Sequence, residues 1–370
     1  MTDTFASLRA LFSDAGYGFV EPPILYDARV FVELAGEDLR RRLFLANAAD
    51  GSELALRPDY TIPIALHHLA TGVAKRRADY AYLGPVFRQR PNDTGEFLQA
   101  GVESLGRNDR AAADADMLRL ALRATEVLGI SEATVRIGDS ALFGSVLAAL
   151  DLAEPWRRRL ARSFGNTPRL KTLIGRLRGD RERPPLHAGF LAALDGADHD
   201  AAHHVVEDLL ALAGIKTVGG RTAGEIADRF LEKAALAAAA AGNARAPSAL
   251  QRFLAIGGSP EASLKALRAL ARVEKLDIDK AVDLFERRTD GLTRHGIDIS
   301  RLTFAADFGR RLDYYTGFVF EIHDAARAGL AQIVGGGRYD KLLALVGAGS
   351  GVPAIGFSVW LDRITRNSGP

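Results

Sequence analysis

Two stretches more than 200 residues apart alternate with period two, and this restricts the chain to folds that carry a sheet with one apolar and one polar face. In residues 97–105, Leu98, Ala100 and Val102 share one face, and Gln99, Gly101 and Glu103 share the other. In residues 313–322, Phe318, Phe320 and Ile322 share a face with Tyr314, whereas Asp313, Tyr315, Gly317 and Glu321 lie opposite. Successive side chains of a strand point to opposite sides, so each stretch predicts a strand with an apolar core face and a polar working face. Between them Met117, Leu120, Ala121, Ala124, Val127 and Leu128 recur at helical spacing.

Further elements follow from local chemistry. Phe5, Leu8, Leu11 and Phe12 predict a helix that ends at Gly16-Tyr17-Gly18, followed by an extended run from Phe19 to Leu25 set by Pro22 and Pro23. Leu54 to Pro58 reads as a short strand, after which Asp59 can cap a helix whose first turn tolerates Pro63. From about Asp151 to Gly296 the chain turns arginine- and alanine-rich and helical. The expected organisation is therefore an α+β core over 1–150 and 297–370, interrupted by a helical insertion over 151–296. The alanine run at 234–241 reads as plain helix.

Composition narrows the function classes. The 370 residues are 48% hydrophobic and 25% charged, an ordinary globular mixture. The sequence lacks a secretory leader pattern and a long apolar run, so no membrane span and a cytoplasmic location are expected. Zero cysteines exclude disulfides, thiolate metal sites and thiol nucleophiles, and a net charge of +2 argues against nucleic acid as a partner.

The polar faces carry groups that suit a zwitterion. Asp59 and Glu103 with Gln99 suit an ammonium and a ring N–H, and Arg310 suits a carboxylate. Gln99 and Glu103 stand roughly 13 Å apart along a strand at about 3.3 Å per residue, far enough to hold opposite ends of one small molecule. Taken singly, each of these residues is equally at home on a solvated strand face.

In combination they resemble a family. The segments Tyr82-Leu83-Gly84-Pro85-Val86-Phe87-Arg88 and Gln99-Ala100-Gly101-Val102-Glu103 resemble the second signature motif of class II aminoacyl-tRNA synthetases in its histidyl form. Leu312 to Glu321 resembles the histidine-recognition motif, Gly335-Gly336-Gly337-Arg338-Tyr339-Asp340 the glycine-rich segment after it, and Gly356 to Arg363 the third motif. Gly16 to Leu25, with Pro23, resembles the first, dimer-forming motif. The resemblance spans residues 5–365 and implies an antiparallel sheet flanked by helices and a homodimer core. It places Asp59, Thr61 and Gln99 around the α-ammonium of L-histidine, Glu103 and Tyr315 on its imidazole, and Arg310 at its carboxylate, with Arg88 nearby, Tyr314 beside the site and Tyr339 on the wall. Asp59 stands where the synthetases have glutamate, and Arg311 where a glycine follows the arginine.

The departures from that family fall on ATP and tRNA. Gln89 to Glu96 is shorter than the ATP-holding loop and lacks its glutamate, and Trp360 stands where a glycine leaves room for adenine. The indole closes that slot, though it serves core packing equally well. The sequence ends at Pro370, seven residues after Arg363, so no anticodon-binding domain is expected. In these respects the chain is similar to the regulatory subunits of ATP phosphoribosyltransferase in the first step of histidine biosynthesis. That resemblance implies no catalysis, no cofactor, activation of a short catalytic subunit, feedback inhibition by L-histidine, and assembly as a hetero-octamer. The rivals are a histidine-activating ligase and a tRNA-binding module.

Three other signals carry less. His199 and His203 have helical zinc-ligand spacing but no third ligand, so no metal is expected. Gly347 to Gly351 lacks the lysine of a phosphate loop and reads as a turn. Trp156-Arg157-Arg158-Arg159 reads as a solvated helix face.

Overall fold

The computed structural model describes residues 2–34, 39–72, 75–91, 93–179, scattered positions from 204 to 236, 244–310, 314–326 and 332–365. Contacts divide the chain into two units. The first comprises Met1–Ser145, Phe164–Asn166 and Phe253–Pro370, and the second Val146–Ser163 and Thr167–Arg252.

In the first unit, helix α1 (Thr2–Asp14) leads to strand β1 (Gly18–Phe19), strand β2 (Leu25–Asp27) and helix α2 (Ala28–Leu34). Leu8 and Phe12 of α1 are fully buried, as the helical spacing predicts, and Gly16 supplies the positive φ of 88° that ends the helix. The extended run from Phe19 to Leu25 is not one strand. Two prolines cannot donate to a ladder, so pairing stops, and the carbonyls of Pro22 and Pro23 accept from Arg57 Nη1 instead. Strands β3 (Leu45–Asn47) and β4 (Glu53–Leu56) join β2 in a small antiparallel sheet. Helix α3 (Thr61–Ala70) follows with Pro63 in its first turn. Its N-cap position is Tyr60 rather than Asp59, whose Oδ1 accepts from the Ile62 N–H at a long 3.5 Å.

The main sheet is built from β5 (Ala78–Phe87), β6 (Glu96–Leu105), β7 (Ala133–Asp139), β8 (Gly257–Gly258), β9 (Leu302–Ala305), β10 (Phe318–Asp324), β11 (Gln332–Arg338) and β12 (Ala354–Trp360), together with β1. Among the described residues its order is β1-β5-β6-β12-β11-β10-β7-β9-β8. The six strands from β5 to β7 are antiparallel throughout, whereas β1 runs parallel to β5 and β9 parallel to β7.

Residues paired across strands share a face. Val102 pairs with Phe357, and Gly336 with Phe357 and Phe320, so these residues mark one face of the sheet. That face meets α1, through Phe12 and Phe357 at 5.9 Å, and helix α4 (Arg110–Val127). The predicted stripe of α4 is confirmed in its buried Met117, Leu120, Ala121 and Ala124. A buried ion cluster ties this layer together. Asp114 of α4 accepts from Arg338 Nε at 2.8 Å and from Arg288 Nε at 2.8 Å, and Arg288 Nη1 lies 3.0 Å from Asp139 Oδ2.

Arg288 belongs to α10, the last of the helices α5 (Ser140–Ala149), α6 (Glu154–Ala161), α7 (Thr167–Arg178), α8 (Ala246–Leu254), α9 (Pro260–Glu274) and α10 (Asp279–Arg294). The expected insertion boundary of 151–296 therefore differs from the contact division. Helices α9 and α10 belong to the sheet unit, because Arg288 is paired with Asp114 and Asp139 of the first unit. In the second unit Leu170, Leu173, Ile174 and Leu177 form the buried stripe of α7. Trp156 in α6 is buried, while Arg157 and Arg158 pair with Glu154 on the outside. His199 and His203 lie outside the described residues, as does all of the alanine run except Leu236. Residues 344–348 form a turn of π-helix ahead of β12.

Candidate functional site

The opposite face of the sheet carries Glu103 of β6, which pairs with Gly356 of β12, which in turn pairs with Gly337 of β11. A cavity opens there, lined by Asp59, Thr61, Arg88, Glu103, Arg310, Tyr314, Tyr315, Gly335, Tyr339 and Trp360, with Gly356 to Ser358 along one side. Eight of the nine predicted site residues thus meet, drawn from the approach to α3, the ends of β5 and β11, the middle of β6 and the segment before β10. The ninth, Gln99, is fully buried on β6 beside Trp360 of β12.

Glycines make this convergence possible. A Cβ on Gly356 would lie 1.6 Å from Glu103 Oε2, and one on Gly335 would lie 1.8 Å from Arg310 Nη1. The site's carboxylate and guanidinium therefore occupy the volume that side chains on the neighbouring strands would fill. Gly335 and Gly356 were visible in the sequence only as parts of motifs.

The polar working face expected on β6 is buried rather than solvated: Gln99 and Glu103 are at most 1% exposed. Thr61 Oγ1 donates to Glu103 Oε1 at 2.7 Å, and Tyr339 OH donates to Oε2. Thr61, expected at the ammonium end, has its hydroxyl donor engaged by Glu103. Burial pushes the Glu103 carboxyl up to about 8, against the pull of the bonds from Tyr339 and Thr61. Burial likewise raises Asp59, although the nearby Arg88 charge opposes it, and lowers Arg88 to about 10. Arg88 is anchored by its Nε, which donates to the Pro58 carbonyl at 2.6 Å.

Tyr314 and Tyr315 correct the expectation of a strand from 313 to 322. The strand begins at Phe318, and Asp313 with Arg311 and Leu312 lies outside the described residues. The two tyrosine rings pack against each other at 4.9 Å, which neighbours on alternating strand faces cannot do. Thr316 holds this segment by donating its N–H to the Arg338 carbonyl and accepting from the Asp340 N–H. Arg310 lies between aromatic partners, its guanidinium carbon 5.6 Å from the Tyr315 ring and 5.7 Å from the Trp360 ring, with Nη1 3.3 Å from Glu321 Oε1. Burial by itself would lower Arg310, but the neighbouring Tyr315, Glu321 and Tyr314 outweigh it and raise it.

Several buried polar atoms here have no protein partner: Asp59 Oδ2, both amide atoms of Gln99, Arg310 Nε and Trp360 Nε1. Buried polar groups are nearly always satisfied, so such a concentration marks a place for a polar ligand or for water. Acceptors and donors are both represented, a set that matches a small molecule bearing both charges. The free space is about 30 Å³, room for one or two water molecules.

Trp360 is 4% exposed and packs in a buried cluster with Tyr60, Tyr82 and Phe97, with the Arg363 guanidinium carbon 4.6 Å from its ring. Arg363 Nη1 donates to the Gln332 carbonyl, and Arg90 is paired with Asp362 at 2.8 Å. Among the described residues no group of three or more His, Cys, Asp or Glu is arranged to hold a metal ion, and no helix is long and apolar enough to cross a membrane.

Comparison with known proteins matches this architecture. The family model for histidyl-tRNA synthetase matches residues 1–218 and 202–364. A crystal structure from Bacillus halodurans, described as an ATP phosphoribosyltransferase regulatory subunit/histidyl-tRNA synthetase, superposes with a TM-score of 0.66 at 24% identity, covering 100% of this chain and 79% of that one. Histidyl-tRNA synthetase from Nostoc gives 0.64 at 19% identity, covering 98% and 70%. These two likenesses establish the class II synthetase-like fold. The ATP phosphoribosyltransferase regulatory subunit of Brucella canis is 40% identical over 366 residues, 99% of this chain and 97% of that protein, and that of Brucella abortus is 40% identical over the same share of this chain. With that identity over nearly its whole length, on a histidyl-tRNA synthetase-like fold, the chain belongs to the family of ATP phosphoribosyltransferase regulatory subunits.

Proposed function

We propose that this chain has no catalysis of its own, assembles with the short catalytic subunit of ATP phosphoribosyltransferase, raises its activity and carries the L-histidine signal that inhibits it. The observation that carries the histidine reading is the set of buried polar atoms without protein partners on Asp59, Arg310 and Trp360, which line one cavity, and on Gln99, which is paired with Trp360 beside it. Asp59 and Gln99 would take the α-ammonium, Glu103 and Tyr315 the imidazole, and Arg310 the carboxylate, with Arg88, Tyr314 and Tyr339 holding the walls. Burial makes these contacts selective, because a ligand lacking one of the groups leaves its partner desolvated and unpaired.

An effector regulates only if it binds two states unequally. A coupling of about 1 to 3 kcal/mol is sufficient for feedback control. The reading without catalysis is supported by Trp360, packed where the synthetases leave an adenine slot, and by Arg363, which is held by the chain's own Gln332 carbonyl.

The test is phosphoribosyl-ATP formation by the short catalytic subunit, with and without this chain, across an L-histidine titration. Stimulation that histidine reverses is expected. Unchanged activity and histidine sensitivity would overturn the proposal, and histidine-dependent exchange of pyrophosphate into ATP by this chain alone would replace it with the ligase reading.

A further inference from the structure

We propose that the cleft between the start of α4 and the outer face of α10 is a docking surface for an acidic segment of the short catalytic subunit, and that Arg110 links this cleft to the histidine pocket. The inference rests on the assembly proposed above and names the surface that makes it.

The cleft has a volume of about 550 Å³ and lies within the sheet unit, between residues 108–112 at the start of α4 and one face of α10. On α10 its lining residues Lys280, Leu284, Arg287 and Arg294 recur at helical spacing and form one stripe, while Val282, Phe285, Arg288 and Leu292 fill the buried face. Lys280, Arg287 and Arg294 are exposed and have no ion pair among the described residues. Of the two acids in the lining, Asp109 is paired with Arg107 at 2.6 Å, which leaves Asp290 alone against three cations. A cleft with such an excess of one sign attracts the opposite sign and speeds its encounter. From 280 to 294 the stripe runs about 21 Å at 1.5 Å per residue, longer than a single phosphate or carboxylate spans. Leu284 and Ala111 set apolar surface among the cations, and Asp290 interrupts them. That mixture suits a protein segment carrying carboxylates around an apolar residue, whereas a nucleic-acid backbone presents a uniform row of phosphates that Asp290 repels.

Hydrogen bonds and ion pairs join this cleft to the pocket. Arg110 is half-exposed in the cleft lining, and its Nη2 lies 3.0 Å from Asp340 Oδ2. Asp340 Oδ1 accepts from Arg338 Nη1 at 2.9 Å and from the Ala354 N–H at 3.0 Å, and the Asp340 N–H donates to Thr316 Oγ1 at 2.9 Å. Thr316 follows Tyr315 of the pocket lining, and Tyr339, just before Asp340, donates to Glu103. A carboxylate docked in the cleft competes with Asp340 for Arg110, and Asp340 is tied to both segments that bring tyrosines to the pocket. Docking and histidine binding thereby change each other's affinity by the same factor.

The experiment is calorimetric titration of the full chain with the short catalytic subunit at low and high salt. Wild type is compared with Lys280→Glu/Arg287→Glu, with Arg110→Gln, and with Arg119→Glu/Arg123→Glu, which makes the same charge change at exposed positions of α4 outside the cleft. Thermal melts of the free chains separate lost docking from lost folding. The cleft double variant is expected to bind about tenfold or more weakly at low salt and with a smaller salt dependence, and the α4 control to bind as wild type does. The factor by which saturating L-histidine changes the affinity for the catalytic subunit, about 5- to 150-fold for ordinary allosteric coupling, is expected to fall toward one in Arg110→Gln. Wild-type affinity in the cleft variant, equal losses in both double variants, or an undiminished histidine effect in Arg110→Gln would overturn the proposal. Binding of tRNA that the cleft variant loses while keeping the catalytic subunit would assign the surface to nucleic acid and overturn it as well. If wild type binds no catalytic subunit at either salt, the assembly reading falls together with this one.

Discussion

Replacing Glu103 by glutamine isolates the energetics of the buried carboxyl at the centre of the site. In the folded protein its pKa stands at about 8 against an ordinary 4.5. Between those values the folded state binds the proton more tightly than the unfolded state, so stability is highest below 4.5, falls as pH rises, and levels off above about 8. At about 1.4 kcal/mol per pH unit the full span is worth about 5 kcal/mol. Glutamine does not ionise and keeps the shape, and the Thr61 and Tyr339 hydroxyls can rotate to accept from its amide. Urea unfolding of Glu103→Gln and wild type from pH 4.5 to 9 is expected to give curves that diverge with rising pH, the variant losing less stability by several kcal/mol. Titrating groups that do not interact with Glu103 are common to both proteins and cancel in the difference, whereas Asp59, whose charge helps raise Glu103, titrates together with it. Parallel pH dependences would refute the reasoning, because they would mean that Glu103 ionises at its ordinary pKa in the folded state.

The same carboxyl links ligand binding to protons: if histidine stabilises ionised Glu103, binding near pH 7 releases a proton, seen as a dependence of the calorimetric heat on buffer ionisation enthalpy that Glu103→Gln abolishes. Gly356→Ala should lower stability by about 3 kcal/mol or more, since its Cβ would lie 1.6 Å from Glu103 Oε2 and 2.5 Å from the Val102 carbonyl oxygen. Gly144→Ala, which meets nothing within 4 Å on a helix, should be neutral or stabilising by about 0.5 to 1 kcal/mol, with both glycine variants compared to wild type in thermal melts. Asp114→Ala should cost about 3 to 5 kcal/mol in chemical denaturation, because it leaves buried Arg288 and Arg338 without their shared carboxylate.

Period-two alternation located β6 and the second half of the 313–322 stretch, and helical spacing located α1 and α4. It failed where a local feature overrode the pattern. Two prolines ended pairing between Phe19 and Leu25, and at Tyr314 and Tyr315 the chain turns so that both rings pack together. Helical texture also put α9 and α10 in the insertion, because amphipathic stripes state which side of a helix is buried and not against what. The pairing of Arg288 with Asp114, 174 residues away, is a long-range fact that no local window contains.

The sequence by itself determined the inventory of the site: a carboxylate pair, an amide, a guanidinium and a group of tyrosines, together with the motifs that made their order recognisable. Only the tertiary structure decided which of them face one another, that Thr61 and Tyr339 engage Glu103, and that Trp360 joins Arg310 in lining the same cavity. The physical reason is that residue chemistry is a local property, whereas burial and hydrogen-bond satisfaction arise when strands distant in the chain pair. Glycines at 335 and 356 let those strands place charge where side chains would otherwise stand.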